Sequence, residues 1–197
     1  MPETQERTRP ERESRGAGNA RAREAAPVAA KAAKKLGEAW RTPYPRGRGG
    51  AAYVAYINLV VNATPLERIE IERNGVPGAF IKDLSRHLGL TATRTLEILG
   101  VPKSTAANKS SVGKLVAGSA GQAAVGMIRL LGIAEGILTN STAEAARGFD
   151  IEKWLGTWIE RPQPALGGHK PADLLDTPTG LEVVARLLGS LEGGAYQ

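Results

Sequence analysis

The chain has 197 residues, no cysteine and a formal net charge of +6, which fits one or two domains and excludes disulfides and thiolate metal sites. Apolar residues make up 42% of it but aromatics only 5%, so any core must rest on Ala, Leu, Val and Ile. No run approaches the roughly 18 uninterrupted apolar residues of a membrane span, and the N-terminus lacks the apolar segment of a signal peptide; a cytoplasmic protein without a membrane partner is the expectation.

The charge is uneven. Residues 1–50 carry 12 Lys/Arg against 6 Asp/Glu, whereas residues 51–197 carry 14 of each. The basic character therefore belongs to a tail. Residues 1–26 are polar and charged with no stripe to bury, the composition of a disordered segment. Residues 28–40 are Ala/Lys-rich and suit a transient helix, and RTPYPRGRGG (41–50) reads as a linker. Such an arm is either a solvated tail or a source of non-specific attraction to phosphates.

The folded body is expected from Ala51. AAYVAYINLVV (51–61) is ambiguous between strand and helix; Tyr53, Ile57 and Val60 share a helical face, and helix is the reading adopted. Thr64-Pro65 supplies an N-cap and a proline at the first helical position for PLERIEIERNG, which Gly75 closes. Pro77 opens PGAFIKDLSRHLG, with Phe80, Ile81, Leu84 and Leu88 at helical spacing and Gly89 at its end. Thr91 caps TATRTLEILG, Gly100 stops it, and the polar segment KSTAANKSS follows Pro102.

A helix, a tight Gly-containing turn and a second polar helix are the parts of a helix-turn-helix. On this reading Thr91–Leu99 is the positioning helix, Gly100-Val101-Pro102 the turn and Lys103–Lys109 the recognition helix. The residues able to contact DNA are Lys103, Ser104, Thr105, Asn108 and Lys109, since Asn pairs with adenine and Lys reaches guanine or phosphate. Helix–Gly–helix joints are common in any helical protein, so the pattern alone leaves a purely structural role open.

Residues 112–139 are rich in small side chains and fit a buried helix from about Ala120 to Thr139. AGSAGQ within them lacks the G-x-x-x-x-G-K-[ST] spacing of a phosphate loop, and close helix packing is the better reading. Thr142 suits the cap of a helix through AEAARGF. FDIEKWLGTWIE then places Trp154 and Trp158 on one face, a stripe that serves either a core or a contact surface. Pro162 ends that helix, Gly167-Gly168 forms a turn, Pro171 opens a short helix, and Thr177-Pro178 starts a last one with Leu181, Val184, Leu188 and Leu191 on one face. His87 and His169 have no metal-ligand spacing, and no nucleophile or acid–base constellation is legible, so neither an enzyme nor a cofactor is expected.

WLGTWIERPQPALGGHKPADLLDTPTGLEVVARLLGSLEGGAYQ (154–197) closely resembles the toxin-binding domain of Xre/MbcA/ParS-type antitoxins. The resemblance rests on Trp154-Leu155, Pro164, Leu166-Gly167-Gly168, Pro171, Leu174-Leu175, Thr177, Gly180 and Gly194-Tyr196, in order and spacing. Residues 65–139 are similar to the family's Xre-like helix-turn-helix, with GVPKST where its turn and recognition helix begin. Two features depart from the pattern: Lys103 and Lys109 stand where many relatives carry arginines, and AGSAGQ replaces an acidic, arginine-containing helix start.

The match does not extend to residues 1–50, which composition alone marks as a disordered basic tail and linker. For the rest the resemblance implies an all-α protein with an Xre-like helix-turn-helix and dimerisation domain (51–139) and a toxin-binding domain (140–197). It implies a type II toxin–antitoxin system with a RES-domain toxin as partner, which consumes NAD or uses it for ADP-ribosylation, together with operator DNA and a homodimer. Toxin contacts are then expected from Trp154, Trp158, Leu166, Leu191, Glu192, Gly193, Gly194, Ala195, Tyr196 and Gln197. The runner-up is a helix-turn-helix regulator without a toxin, and a nucleotide-binding enzyme is a distant third.

Overall fold

In a computed structural model of the chain, the residues described are Tyr44, 50–101, 115–141 and 147–191. All of them lie in one compact unit, Trp40–Gln197. Seven α-helices are found among these residues: α1 (Gly50–Val61), α2 (Pro65–Asn74), α3 (Gly78–His87), α4 (Ala92–Ile98), α5 (Ser119–Asn140), α6 (Ile151–Ile159) and α7 (Pro178–Ser190). Two 3-10 turns, Pro164–Leu166 and Pro171–Asp173, join α6 to α7. Two-residue strands β1 (Val76–Pro77) and β2 (Leu115–Val116) pair antiparallel, with Val76 opposite Val116 and Pro77 opposite Leu115. The architecture is all-α, with this one short ladder as an addition.

The ambiguous AAYVAYINLVV segment is helical. Its helix buries Tyr53, Ile57 and Val60, the three residues that share a face at helical spacing. Burial of that face against α5 and α3 decides between two states that local propensity leaves close. α2 starts on a full capping box: Thr64 N–H donates to Glu67 Oε2 at 2.7 Å, and Glu67 N–H donates to Thr64 Oγ1 at 3.4 Å. Thr64-x-x-Glu67 announces this box in the sequence as well as the proline does.

α5 is the axis of the unit. It packs against α1, α2, α6 and α7, and eleven of its 22 residues are buried. By length and composition it is apolar enough to cross a membrane, yet 56% of its apolar window is buried inside the protein. Its small residues let neighbours come close. A Cβ on Gly126 would collide with the Leu181 side chain of α7, and one on Gly121 would stand 2.7 Å from the carbonyl oxygen of Val116. The AGSAGQ stretch is thus a helix start fitted against β2.

Gly89 and Gly100 end α3 and α4 in the same way. Each has positive φ, 69° and 71°, a conformation that costs a side chain-bearing residue about 1–2 kcal/mol. Leu90 N–H donates to Ser85 O and Val101 N–H to Leu96 O, both at 2.8 Å, while the glycine N–H groups donate to Arg86 O and Glu97 O. These are two Schellman ends, each followed by an apolar residue packed on the core. The repeated Leu-Gly-apolar sequence therefore sets both exit angles of the helix pair.

Candidate partner-binding module and its junction with the helix-turn-helix

α4 (Ala92–Ile98) stands where the positioning helix Thr91–Leu99 is expected, after α3. Thr91 caps α4 by accepting from Arg94 N–H at 3.1 Å, and the chain leaves at the Gly100 turn with Val101 buried. Lys103, Ser104, Thr105, Asn108 and Lys109 lie outside the described residues, as does Thr142.

The C-terminal module is built on α6. Asp150 caps it, accepting from Lys153 N–H at 3.1 Å, and Leu155 and Ile159 are fully buried. The helix ends at Ile159, earlier than Pro162, because Glu160 turns away and Arg161 N–H donates to Trp158 O. Trp154 and Trp158 do share a face, with ring centroids 6.1 Å apart and an interplanar angle of 19°. Their surroundings differ: Trp154 is half-buried, but Trp158 is only 8% exposed and belongs to the core. Core packing accounts for Trp158, which has little surface left to offer a partner.

The Gly-Gly loop closes on itself. Gln163 N–H donates to His169 O at 3.0 Å, and the N–H groups of Leu166, Gly167, Gly168 and His169 donate to carbonyls within the same loop. Every N–H from 166 to 169 is already engaged, so no ring of free donors remains to cradle a phosphate. Leu166 packs half-buried against the core from this loop. Pro171 opens a single 3-10 turn, a tighter start than the short helix read from the sequence. Thr177 then caps α7, accepting from Gly180 N–H at 3.1 Å. α7 buries Val184, Ala185, Leu187 and Leu188 up to its last turn, and Leu191 is half-buried directly after it. Glu192, Gly193, Gly194, Ala195, Tyr196 and Gln197 lie outside the described residues.

Among the described residues, polar contacts at two places join this segment to α3 and α4. Arg94 of α4 grips Glu160 with two donors, Nε to Oε1 at 2.6 Å and Nη2 to Oε2 at 3.3 Å. Lys170 reaches the same carboxylate at 3.4 Å, and Arg94 also stands 3.6 Å from Asp173. The Arg94 hydrogen bond is the main reason the Glu160 carboxyl is held below its ordinary value; burial opposes it. On α3, His87 Nδ1 lies 2.6 Å from Glu152 Oε2, while its ring stacks on Tyr53 at 3.9 Å and 10°. Burial, then the charge of Glu152, push the Tyr53 phenol well above its usual range and raise the Glu135 carboxyl nearby. Between these contacts α6 presses on the end of α3, where a Cβ on Gly156 would collide with the Leu88 carbonyl oxygen.

Arg94 and Glu160 are 66 positions apart, and His87 and Glu152 are 65 apart. Neither pair has a local signal, and sequence reading missed both. The structure thus defines a class: an all-α protein whose helices α3 and α4 are tied to α6 within one compact unit, with no group of three or more His, Asp or Glu placed to hold a metal ion among the described residues. Comparison with known proteins makes the class specific. The family model described as the antitoxin Xre-like helix-turn-helix domain matches residues 67–129, and that of the antitoxin Xre/MbcA/ParS C-terminal toxin-binding domain matches residues 142–194. A protein of Sphingobium sp. (strain YBL2) named "Prs ADP-ribosylating antitoxin" is 31% identical over 151 residues, which cover 77% of this chain and 92% of that protein. The chain belongs to the Xre/MbcA/ParS antitoxin family.

Proposed function

We propose that this antitoxin neutralises a RES-domain toxin that consumes NAD or transfers ADP-ribose from it, and that it acts by binding and not by catalysis. NAD is then the toxin's substrate. The name of the Sphingobium relative, which couples an antitoxin to ADP-ribosylation, supports that chemistry. The observation that carries the binding mode is α7: it is anchored in the core through Leu187 and Leu188, and the segment with Gly193-Gly194 and Tyr196 follows it directly. Such a helix is a fixed base for delivering Ala195, Tyr196 and Gln197 into a substrate cleft, with Gly193-Gly194 offering no side chains to crowd the entrance.

We assign the toxin-contacting surface to the 140–197 module, with Trp154, Leu166, Leu191 and Glu192–Gln197 as its contacts and Trp158 as their support. The 51–139 module is assigned to homodimerisation and operator binding. Lys103, Ser104, Thr105, Asn108 and Lys109 would read or hold the operator, so the antitoxin represses its own operon. Deleting residues 193–197 should abolish protection in a co-expression growth test while the far-ultraviolet circular dichroism remains that of the full chain. Full protection by the shortened protein would remove the plug from this mechanism.

A further inference from the structure

The segment matched to the toxin-binding domain exposes an aromatic feature apart from its C-terminal end. Phe149 immediately precedes the N-cap Asp150, and Trp154 is the fourth residue of α6. These are the two positions of a hydrophobic staple, and their ring centroids lie 6.3 Å apart. Trp154 in turn stacks on buried Trp158, so three rings form a column from the core to the surface. A staple accounts for the inner contact of Phe149. It does not account for the 44% of the residue left exposed, when the chain's other phenylalanine, Phe80, is fully buried.

The charges beside the column point to its partner. Arg147 and Arg161 are both exposed, and neither guanidinium has an ion-pair partner among the described residues. Arg161 lies just past the end of α6, where its N–H donates to the carbonyl oxygen of Trp158, whose ring belongs to the column, at 3.1 Å. Lys153, in contrast, is held by Asp150 at 2.9 Å. Rigid aromatic rings flanked by arginines are the composition of binding hot spots.

We propose that Phe149 and Trp154 seat in an apolar recess of the toxin, with Arg147 and Arg161 meeting acidic side chains at its rim. This rests on the antitoxin reading and adds a second contact to the C-terminal plug. The test uses the full chain co-expressed with a RES-domain toxin. Phe149→Ser should raise the Kd at least about ten-fold, as loss of a hot-spot side chain does, and Arg161→Glu should slow association most at low salt. Because loss of the staple can loosen α6, Thr157→Glu provides a second variant. Thr157 is exposed, and its hydroxyl only donates to Lys153 O at 2.9 Å. It should weaken the complex about ten-fold at unchanged Tm.

Wild-type affinity in Phe149→Ser, or in Thr157→Glu at unchanged Tm, overturns the anchor. A changed oligomeric state of the free Phe149→Ser chain overturns it too, by assigning the patch to a second copy. Failure of the antitoxin reading looks different, since the wild-type chain itself would then form no complex.

Discussion

At the scale of single residues, glycines in the same kind of helix do opposite work. Gly136 lies inside α5 with nothing within 4 Å of where a Cβ would stand, so it only lowers helix propensity. Gly136→Ala should stabilise the protein by about 1 kcal/mol. Gly156 looks no different in the sequence, yet a Cβ there meets the Leu88 carbonyl oxygen, backbone that cannot rotate away. Gly156→Ala should therefore push α6 off α3 and destabilise by about 1–3 kcal/mol, the usual range for overpacking. Urea denaturation of both variants decides the matter, and equal midpoints would show that α6 does not press on α3 as described.

At the scale of elements, the parts that sequence reading recovers are those fixed by local chemistry. Thr64-Pro65, Thr91 and Thr177-Pro178 mark helix starts because a side-chain oxygen satisfies an N–H only a few residues away. Gly89 and Gly100 mark ends because their left-handed conformation disfavours a residue with a Cβ. The two-residue ladder stayed hidden because Val76 and Val116 are brought together by tertiary packing. The junction of the two modules stayed hidden for the same reason, since Arg94 and Glu160 carry no hint of each other. The DNA-contact residues were read from the helix–turn–polar-helix pattern and the terminal six from family resemblance, and both groups lie outside the described residues.

That junction has a pH signature. Glu160 has its carboxyl lowered from 4.5, chiefly by the Arg94 hydrogen bond. A depressed carboxylate stabilises the fold fully above its unfolded value and loses that contribution as pH falls through the folded one. Arg94→Ala should cost about 1 kcal/mol at neutral pH, as a partly exposed pair does, and the cost should shrink as pH falls below the ordinary carboxyl value of 4.5. Denaturation midpoints measured at neutral pH and on the acid side of 4.5, where the cost shrinks, test it, and a cost independent of pH would assign Arg94 a packing role alone.

At the scale of the whole molecule, charge is divided from fold. Residues 51–197 balance 14 basic against 14 acidic groups, and the entire excess of +6 lies in residues 1–50. A neutral folded body gives little long-range attraction to a polyanion, and the expected recognition segment offers only Lys103 and Lys109 among Ser, Thr and Ala. Operator affinity should then draw much of its salt sensitivity from the tail, through counterions released when its basic groups meet phosphates. That term carries no base information, because phosphate contacts position a protein and base edges specify the site. Removing residues 1–50 should therefore flatten the dependence of log K on log salt by several units at most, about 0.9 for each phosphate the tail neutralises, and leave the protected operator footprint in place. Binding of the shortened and full chains to the operator and to an unrelated duplex, each over a salt series, separates the two contributions. A shifted footprint would mean that the arm enters a groove and reads bases, which makes the tail part of the recognition surface.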